Sequence, residues 1–183
     1  MKSILIAVAL LASLSFSYAQ DFRGLDKSPL DIAYYPDNFA HDRKAGDQAL
    51  VKVVYSRPQR NNRELFGQLV PYGKVWRTGA NEATEIRFYE DAVVGGKKIK
   101  KGTYSLFTIP EKDSWTIIFN SDVDFWGAYT YNDKHDVLRV TGKPETLSDD
   151  VENFTIQFTG DQKDKAVMVL AWGNTAVRVP MEF

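Results

Sequence analysis

The sequence predicts an all-β domain, either an antiparallel β-sandwich or a partly closed barrel of about nine strands. From residue 49 onward, apolar and polar side chains alternate in short runs, as half-buried strands require. Glycine, proline and asparagine separate these runs at short intervals. At most one short helix is expected, over 63–69. Antiparallel pairing is the simplest way to join such short strands by turns.

The strand predictions follow the chain in order. The strand-like runs are 51–55, 85–88, 93–94, 97–99, 103–109, 115–119, 154–159, 166–172 and 177–179. Gly95-Gly96 permits the positive φ angles of a tight hairpin turn. The run 166–172 is apolar on both faces, which is typical of a central strand, and Gly173-Asn174 is expected to form a turn after it.

The first 19 residues resemble a secretory signal peptide. Lys2 precedes an apolar stretch over 4–14, and Ser17-Tyr18-Ala19 has the small residues of a cleavage site after Ala19. No cysteine follows, so there is no lipobox. We therefore expect a periplasmic or secreted protein that starts at Gln20 and has no transmembrane segment.

Removal of 1–19 leaves 164 residues, which suits one domain. We expect an irregular N-terminal arm over 20–47, packed on a single β domain over 48–183. The chain contains no cysteine, which excludes disulfides and thiolate chemistry. The predicted mature chain has 22 basic and 24 acidic residues, so nucleic acid is not an expected partner.

No catalytic residue, metal site or cofactor is predicted. His41 and His135 are the only histidines, and neither lies in a zinc-binding spacing. His135 with Asp133 and Asp136 suits a solvated turn better than a cation site. The chain also lacks a nucleophile elbow and the glycine loop of a phosphate site.

Two clusters combine aromatic and polar residues and are the candidate ligand-binding sites. The first comprises Arg57, Trp76, Arg77, Thr78, Asn81 and Glu82. Arg77 has the geometry to hold a carboxylate or sulfate through two hydrogen bonds. The alternative is a structural lock, in which Arg77 pairs with Glu82 or Glu85 and Trp76 fills the core. Both interpretations remain open from the sequence.

The second cluster comprises Trp126, Tyr129 and Tyr131 within 120–131. Such rings stack on sugar faces or on partner surfaces. Tyr129 and Tyr131 project from one face if this segment is a strand. The alternative is ordinary packing of aromatic side chains across neighbouring strands.

Several segments together resemble DUF2911, a bacterial family of unknown function. These segments are 55–58, 66–67, 70–84, 102–106, 115–120, 126–129 and 136–140. The likeness runs from about residue 24 to the C-terminus. It implies a single β-rich domain and assigns no catalytic role to any residue.

The sequence thus favours an exported, non-catalytic domain that binds a glycan, a small polar ligand or an envelope component. One alternative is a glycan hydrolase using carboxylates near Trp126, drawn from Glu82, Glu85, Asp122 and Asp124. The other is a protein–protein interaction module, for which no partner protein is indicated.

Overall fold

The computed structural model describes residues 22–183, apart from the side chains of Asp161 and Gln162. The predicted signal peptide and its cleavage site lie outside the described residues. Within that range the elements are β1 (Leu30–Tyr35), α1 (Phe39–Asp42), β2 (Val51–Ser56), β3 (Thr84–Phe88), β4 (Ala92–Val94), β5 (Lys97–Ile99), β6 (Gly102–Ile109), β7 (Trp115–Asn120), a 3₁₀ turn (Asp133–His135), β8 (Asp136–Gly142), β9 (Pro144–Gln162) and β10 (Lys165–Glu182).

These strands form two antiparallel sheets. The six-stranded sheet has the order β1-β2-β3-β6-β7-β8, and the four-stranded sheet has the order β5-β4-β10-β9. Neither sheet closes into a barrel, so the protein is a β-sandwich, as predicted. The ten strands of the described residues are one more than expected.

The core lies between the two sheets because apolar side chains alternate along most strands. Val51, Val53 and Tyr55 of β2 face it, as do Trp115 and Ile117 of β7. The strand β10 lies between β4 and β9 and is buried along most of its length, which confirms the prediction of a central strand.

The segment 20–47, predicted to be irregular, contains a strand that its sequence pattern did not reveal. β1 pairs with β2 over six residues, from Leu30↔Ser56 to Tyr35↔Val51. Leu30 and Ile32 are exposed because β1 is an edge strand. The alternation that marks a half-buried strand is therefore weak here.

The predicted helix over 63–69 is wrong, and so is the predicted turn at Gly173-Asn174. The first segment closes a compact loop in which Phe66 bridges to Val70 and Gly67 has a φ of +96°. Gly173 has a φ of +59° inside β10, at a point where the pairing with β9 shifts register. It therefore forms a bulge that lets the long strand continue.

Candidate functional site

The structure brings the two predicted clusters together. Backbone hydrogen bonds join the 76–83 loop, which precedes β3, to the 121–131 loop, which follows β7. Ala83 N–H donates to Phe125 O at 2.9 Å, and Gly127 N–H donates to Asn81 O at 2.9 Å. Glu82 and Trp126 form an isolated antiparallel bridge between them. The two loops are therefore one surface feature.

The joined loops rest on the outer face of the six-stranded sheet. Phe107 and Ile118 are fully buried there, outside the central core. The ring of Phe125 lies 6.0 Å from that of Phe107, and the ring of Tyr131 lies 5.0 Å from it. These contacts fix the inner side of the 121–131 loop.

Hydrogen bonds around Asp136 hold the end of that loop. Tyr131 donates its hydroxyl to Asp136 Oδ2 at 2.7 Å, and Arg139 Nε donates to the same oxygen at 2.6 Å. Asn120 Nδ2 donates to Asp136 Oδ1 at 2.8 Å. Burial, together with the hydrogen bond to Asp136, raises the pKa of Tyr131 to about 12. The phenol therefore stays protonated well above neutral pH and continues to donate its hydrogen bond to Asp136.

Tyr129 and Tyr131 do not project from one face, because 126–131 forms turns rather than a strand. Tyr131 packs inward, whereas Trp126 and Tyr129 are 62% and 83% exposed. The φ of Gly127 is +72°, and a Cβ there would lie 2.7 Å from Tyr129 Cε2. The phenol ring therefore lies against the Gly127 backbone. We call Trp126 and Tyr129 the aromatic platform.

Trp76 and Thr78 belong to the interior. Trp76 is 8% exposed, and its ring stacks on Trp172 at 5.9 Å with an interplanar angle of 11°. Its indole N–H donates to Gly79 O at 3.1 Å. Thr78 is fully buried and its carbonyl accepts the Thr84 hydroxyl at 2.6 Å. For Trp76 and Thr78, these contacts fit the alternative interpretation of the first cluster, in which its residues stabilise the fold.

Arg77 differs from its neighbours in the first cluster. Its side chain is partly buried, and its buried Nε has no hydrogen-bond partner in the described structure. The ion pair with Glu82 or Glu85 that the structural-lock alternative included is not among the salt bridges of residues 22–183. Glu82 is exposed, and Glu85 is partly buried on β3.

Asn81 and Arg57 have structural partners. Asn81 Nδ2 donates to Asp26 Oδ1 at 3.0 Å, which attaches the N-terminal segment to the 76–83 loop. The Ser28 backbone N–H and Asn81 lower the pKa of Asp26 by hydrogen bonding to its carboxylate. Arg57 donates to Phe154 O at 3.1 Å, Asp31 at 2.8 Å and Thr155 at 2.8 Å. It therefore clamps β1 to β9.

His135 binds Asp122 through Nδ1, not the carboxylates beside it in sequence. Within the described residues, no group of three or more histidine and acidic side chains has the arrangement to hold a metal ion. No helix in the same range has the length and apolar character needed to cross a membrane.

Sequence reasoning missed a concave region at another part of the sandwich. Two cavities of about 190 and 130 Å³ share Phe66, Tyr72 and Thr175 as walls. Trp172 lines the first and Trp115 the second. The ring of Tyr72 lies against Gly67, where a Cβ would come within 2.8 Å of it. In the sequence, this region is marked by the segments 66–67, 70–84 and 115–120, which contribute Phe66, Tyr72 and Trp115 to the cavity walls.

The protein is an antiparallel β-sandwich whose joined loops expose two aromatic side chains, Trp126 and Tyr129. The model of DUF2911, described as a protein of unknown function, matches residues 37–181. The chain belongs to this family, which confirms the resemblance noted in its sequence. No curated protein and no solved structure gives a match.

Proposed function

We propose that this protein is an exported, non-catalytic domain that binds saccharides on the aromatic platform. The observation that carries the proposal is the exposure of Trp126 and Tyr129, at 62% and 83%, on a loop fixed from below. Isolated exposed apolar side chains are common on protein surfaces. Here, however, Phe125 and Tyr131 anchor the loop, and the ring of Tyr129 packs on Gly127. Two exposed rings fixed in this way are better explained as a binding surface.

The chemistry of the platform suits sugars. Aromatic rings present a broad apolar face to the C–H groups of a sugar ring, and they lose little conformational entropy on binding. Anchoring through Phe125 and Tyr131 reduces that cost further, because the loop is ordered before the ligand arrives. Glu82 is exposed beside Trp126 and offers a hydrogen-bond acceptor for sugar hydroxyls.

The proposed location also favours this ligand class. The signal peptide predicted over 1–19 would deliver the chain to the periplasm or the medium. Envelope and extracellular glycans are abundant in both places. A binding surface without a deep pocket suits a polymer that lies across it.

Affinity electrophoresis in gels containing soluble polysaccharides tests the proposal. The gels contain laminarin, xylan, polygalacturonate or dextran sulfate, and retardation measures binding. We expect retardation by at least one polymer, and its loss in Trp126→Ala and Tyr129→Ala. Phe22→Ala is the matched control because Phe22 is also an exposed aromatic, at 80%. Equal binding by all four proteins would contradict the proposal.

The carboxylate-dependent hydrolase is the second candidate, favoured by the backbone bridge between the exposed Glu82 and Trp126. It predicts that reducing ends appear when the protein is incubated with a polysaccharide it binds, and that Glu82→Gln abolishes them. Absence of reducing ends with intact retardation supports the binding domain. If no saccharide binds, the exposed rings would instead favour docking of a partner protein.

A further inference from the structure

We infer that Arg77 is the anion-binding group of this site, and that the saccharide bound carries a carboxylate or sulfate group. This inference rests on the proposed function and adds the charge of the ligand to it.

Arg77 is a partly buried cation without a paired anion within the described residues. Its Nε is buried and has no hydrogen-bond partner within the described residues. Burying part of a cation without a paired charge is unfavourable, so such groups are ordinarily neutralised. Arg57, Arg139 and Arg178 each have a carboxylate within 3.1 Å. Arg77 is half-buried, and none of the ion pairs within residues 22–183 includes it.

The backbone places Arg77 beside the anchor of the aromatic platform. Trp76 exchanges two hydrogen bonds with Thr108, at 2.7 and 2.9 Å, so the chain is paired there with the end of β6. Trp76 faces the central core, and the next residue along an extended chain points to the opposite face. That register places Arg77 next to Phe107, the ring on which Phe125 and Tyr131 pack.

Two more buried polar groups without partners lie on the same face of the six-stranded sheet. Ser56 and Ser105 are 1% and 0% exposed, and neither hydroxyl has a hydrogen-bond partner within residues 22–183. Their neighbours Tyr55, Tyr104 and Leu106 face the central core, so both serines point outward from it. Buried hydroxyls are ordinarily hydrogen-bonded. Ser56 Oγ and Ser105 Oγ thus join Arg77 Nε as buried polar atoms without a hydrogen-bond partner among the described residues.

A guanidinium offers paired N–H donors in a plane, which match the oxygens of a carboxylate or a sulfate. Acidic sugars place such a group on a ring that also stacks on aromatic side chains. Glu85 lies on the same sheet face opposite Ser105, yet no ion pair between Glu85 and Arg77 is among those of residues 22–183. Within residues 22–183, no carboxylate forms an ion pair with the Arg77 guanidinium.

The test compares charged polymers with neutral counterparts of the same backbone in affinity electrophoresis. The pairs are polygalacturonate with methyl-esterified pectin, and dextran sulfate with dextran. Retention of the first charged polymer identifies a carboxylate ligand, and retention of the second identifies a sulfate ligand. We expect the native protein to bind one charged polymer about ten-fold or more tightly than its neutral partner.

Arg77→Gln should remove this preference, and Arg77→Lys should retain only part of it because an ammonium lacks the planar pair of donors. Arg43→Gln is the control, since Arg43 is an exposed arginine in the N-terminal segment. Equal binding of charged and neutral polymers by the native protein would overturn the inference alone. Failure to bind any polymer would overturn it together with the proposed function.

Thermal unfolding without ligand separates anion binding from a structural role. Arg77→Gln should leave the unfolding temperature unchanged or raise it, because no internal ion pair is lost. Sulfate or galacturonate should raise the unfolding temperature of the native protein more than that of Arg77→Gln. A clear fall in the unfolding temperature of Arg77→Gln, with no anion effect in the native protein, would mean that Arg77 is structural.

Discussion

Replacing Trp76 with phenylalanine tests whether Trp76 stabilises the fold without taking part in saccharide binding. The change removes the indole N–H that donates to Gly79 O at 3.1 Å, which costs about 1 kcal/mol. The smaller ring also gives up roughly 40 Å² of buried apolar surface, worth about 1 kcal/mol at about 25 cal/mol per Å². We therefore expect Trp76→Phe to lower the free energy of unfolding by about 2 kcal/mol.

Urea denaturation followed by far-ultraviolet circular dichroism measures this loss, with the slope of the transition expected to stay unchanged. Retardation by saccharides should equal that of the native protein under conditions in which both are folded. Trp126→Phe is the matched control, because Trp126 is 62% exposed and its replacement should cost little stability. A Trp76→Phe variant of native stability that had lost saccharide binding would refute the assignment of Trp76 to the core.

Three further changes test the anchoring of the site. Gly127→Ala should displace the ring of Tyr129 and abolish saccharide retardation. Gly96→Ala is its control, because Gly96 has a φ of +78° and no atom lies near the added Cβ. This control should show only the backbone penalty of about 1 kcal/mol in urea denaturation. The pKa of Tyr131, raised from 10.0 to about 12, means that the folded state holds the phenolic proton more tightly. Its contribution to stability is present below pH 10 and is lost as the pH rises toward 12, so Tyr131→Phe should reduce the fall in unfolding free energy between pH 9 and 11. Arg57→Gln should cost about 2 kcal/mol in urea denaturation through lost hydrogen bonds of a charged donor, and leave saccharide binding unchanged.

The fold was largely predictable because local alternation dictates most of these strands. The hairpin over 93–99 and the central strand that begins near Ala166 followed from turn residues and apolar runs. The edge strand β1 did not, because an edge strand buries few of its side chains and its pairing with β2 is long-range. The segment 63–69 has helix-like apolar spacing, but the positive φ of Gly67 and its contact with Tyr72 favour a compact loop.

The candidate site was predictable only in part. Residue types alone identified the two clusters, but not the hydrogen bonds that join Ala83 to Phe125 and Asn81 to Gly127. The sequence also left Trp76 and Trp126 equivalent as aromatic candidates, although one is 8% and the other 62% exposed. Burial depends on the path of distant strands, so a single segment does not reveal it.

Saccharide binding on the aromatic platform is tested directly by a nuclear magnetic resonance titration of the four tryptophan indole N–H signals. The titrant is a soluble oligosaccharide of the polymer that retards the protein. Trp126 belongs to the platform, Trp76 to the core, and Trp115 and Trp172 line the two cavities beside Phe66. We expect a saturable shift of the Trp126 signal while the other three stay in place. A shift of the Trp115 or Trp172 signal with Trp126 unmoved would place binding in the cavities and refute binding on the platform.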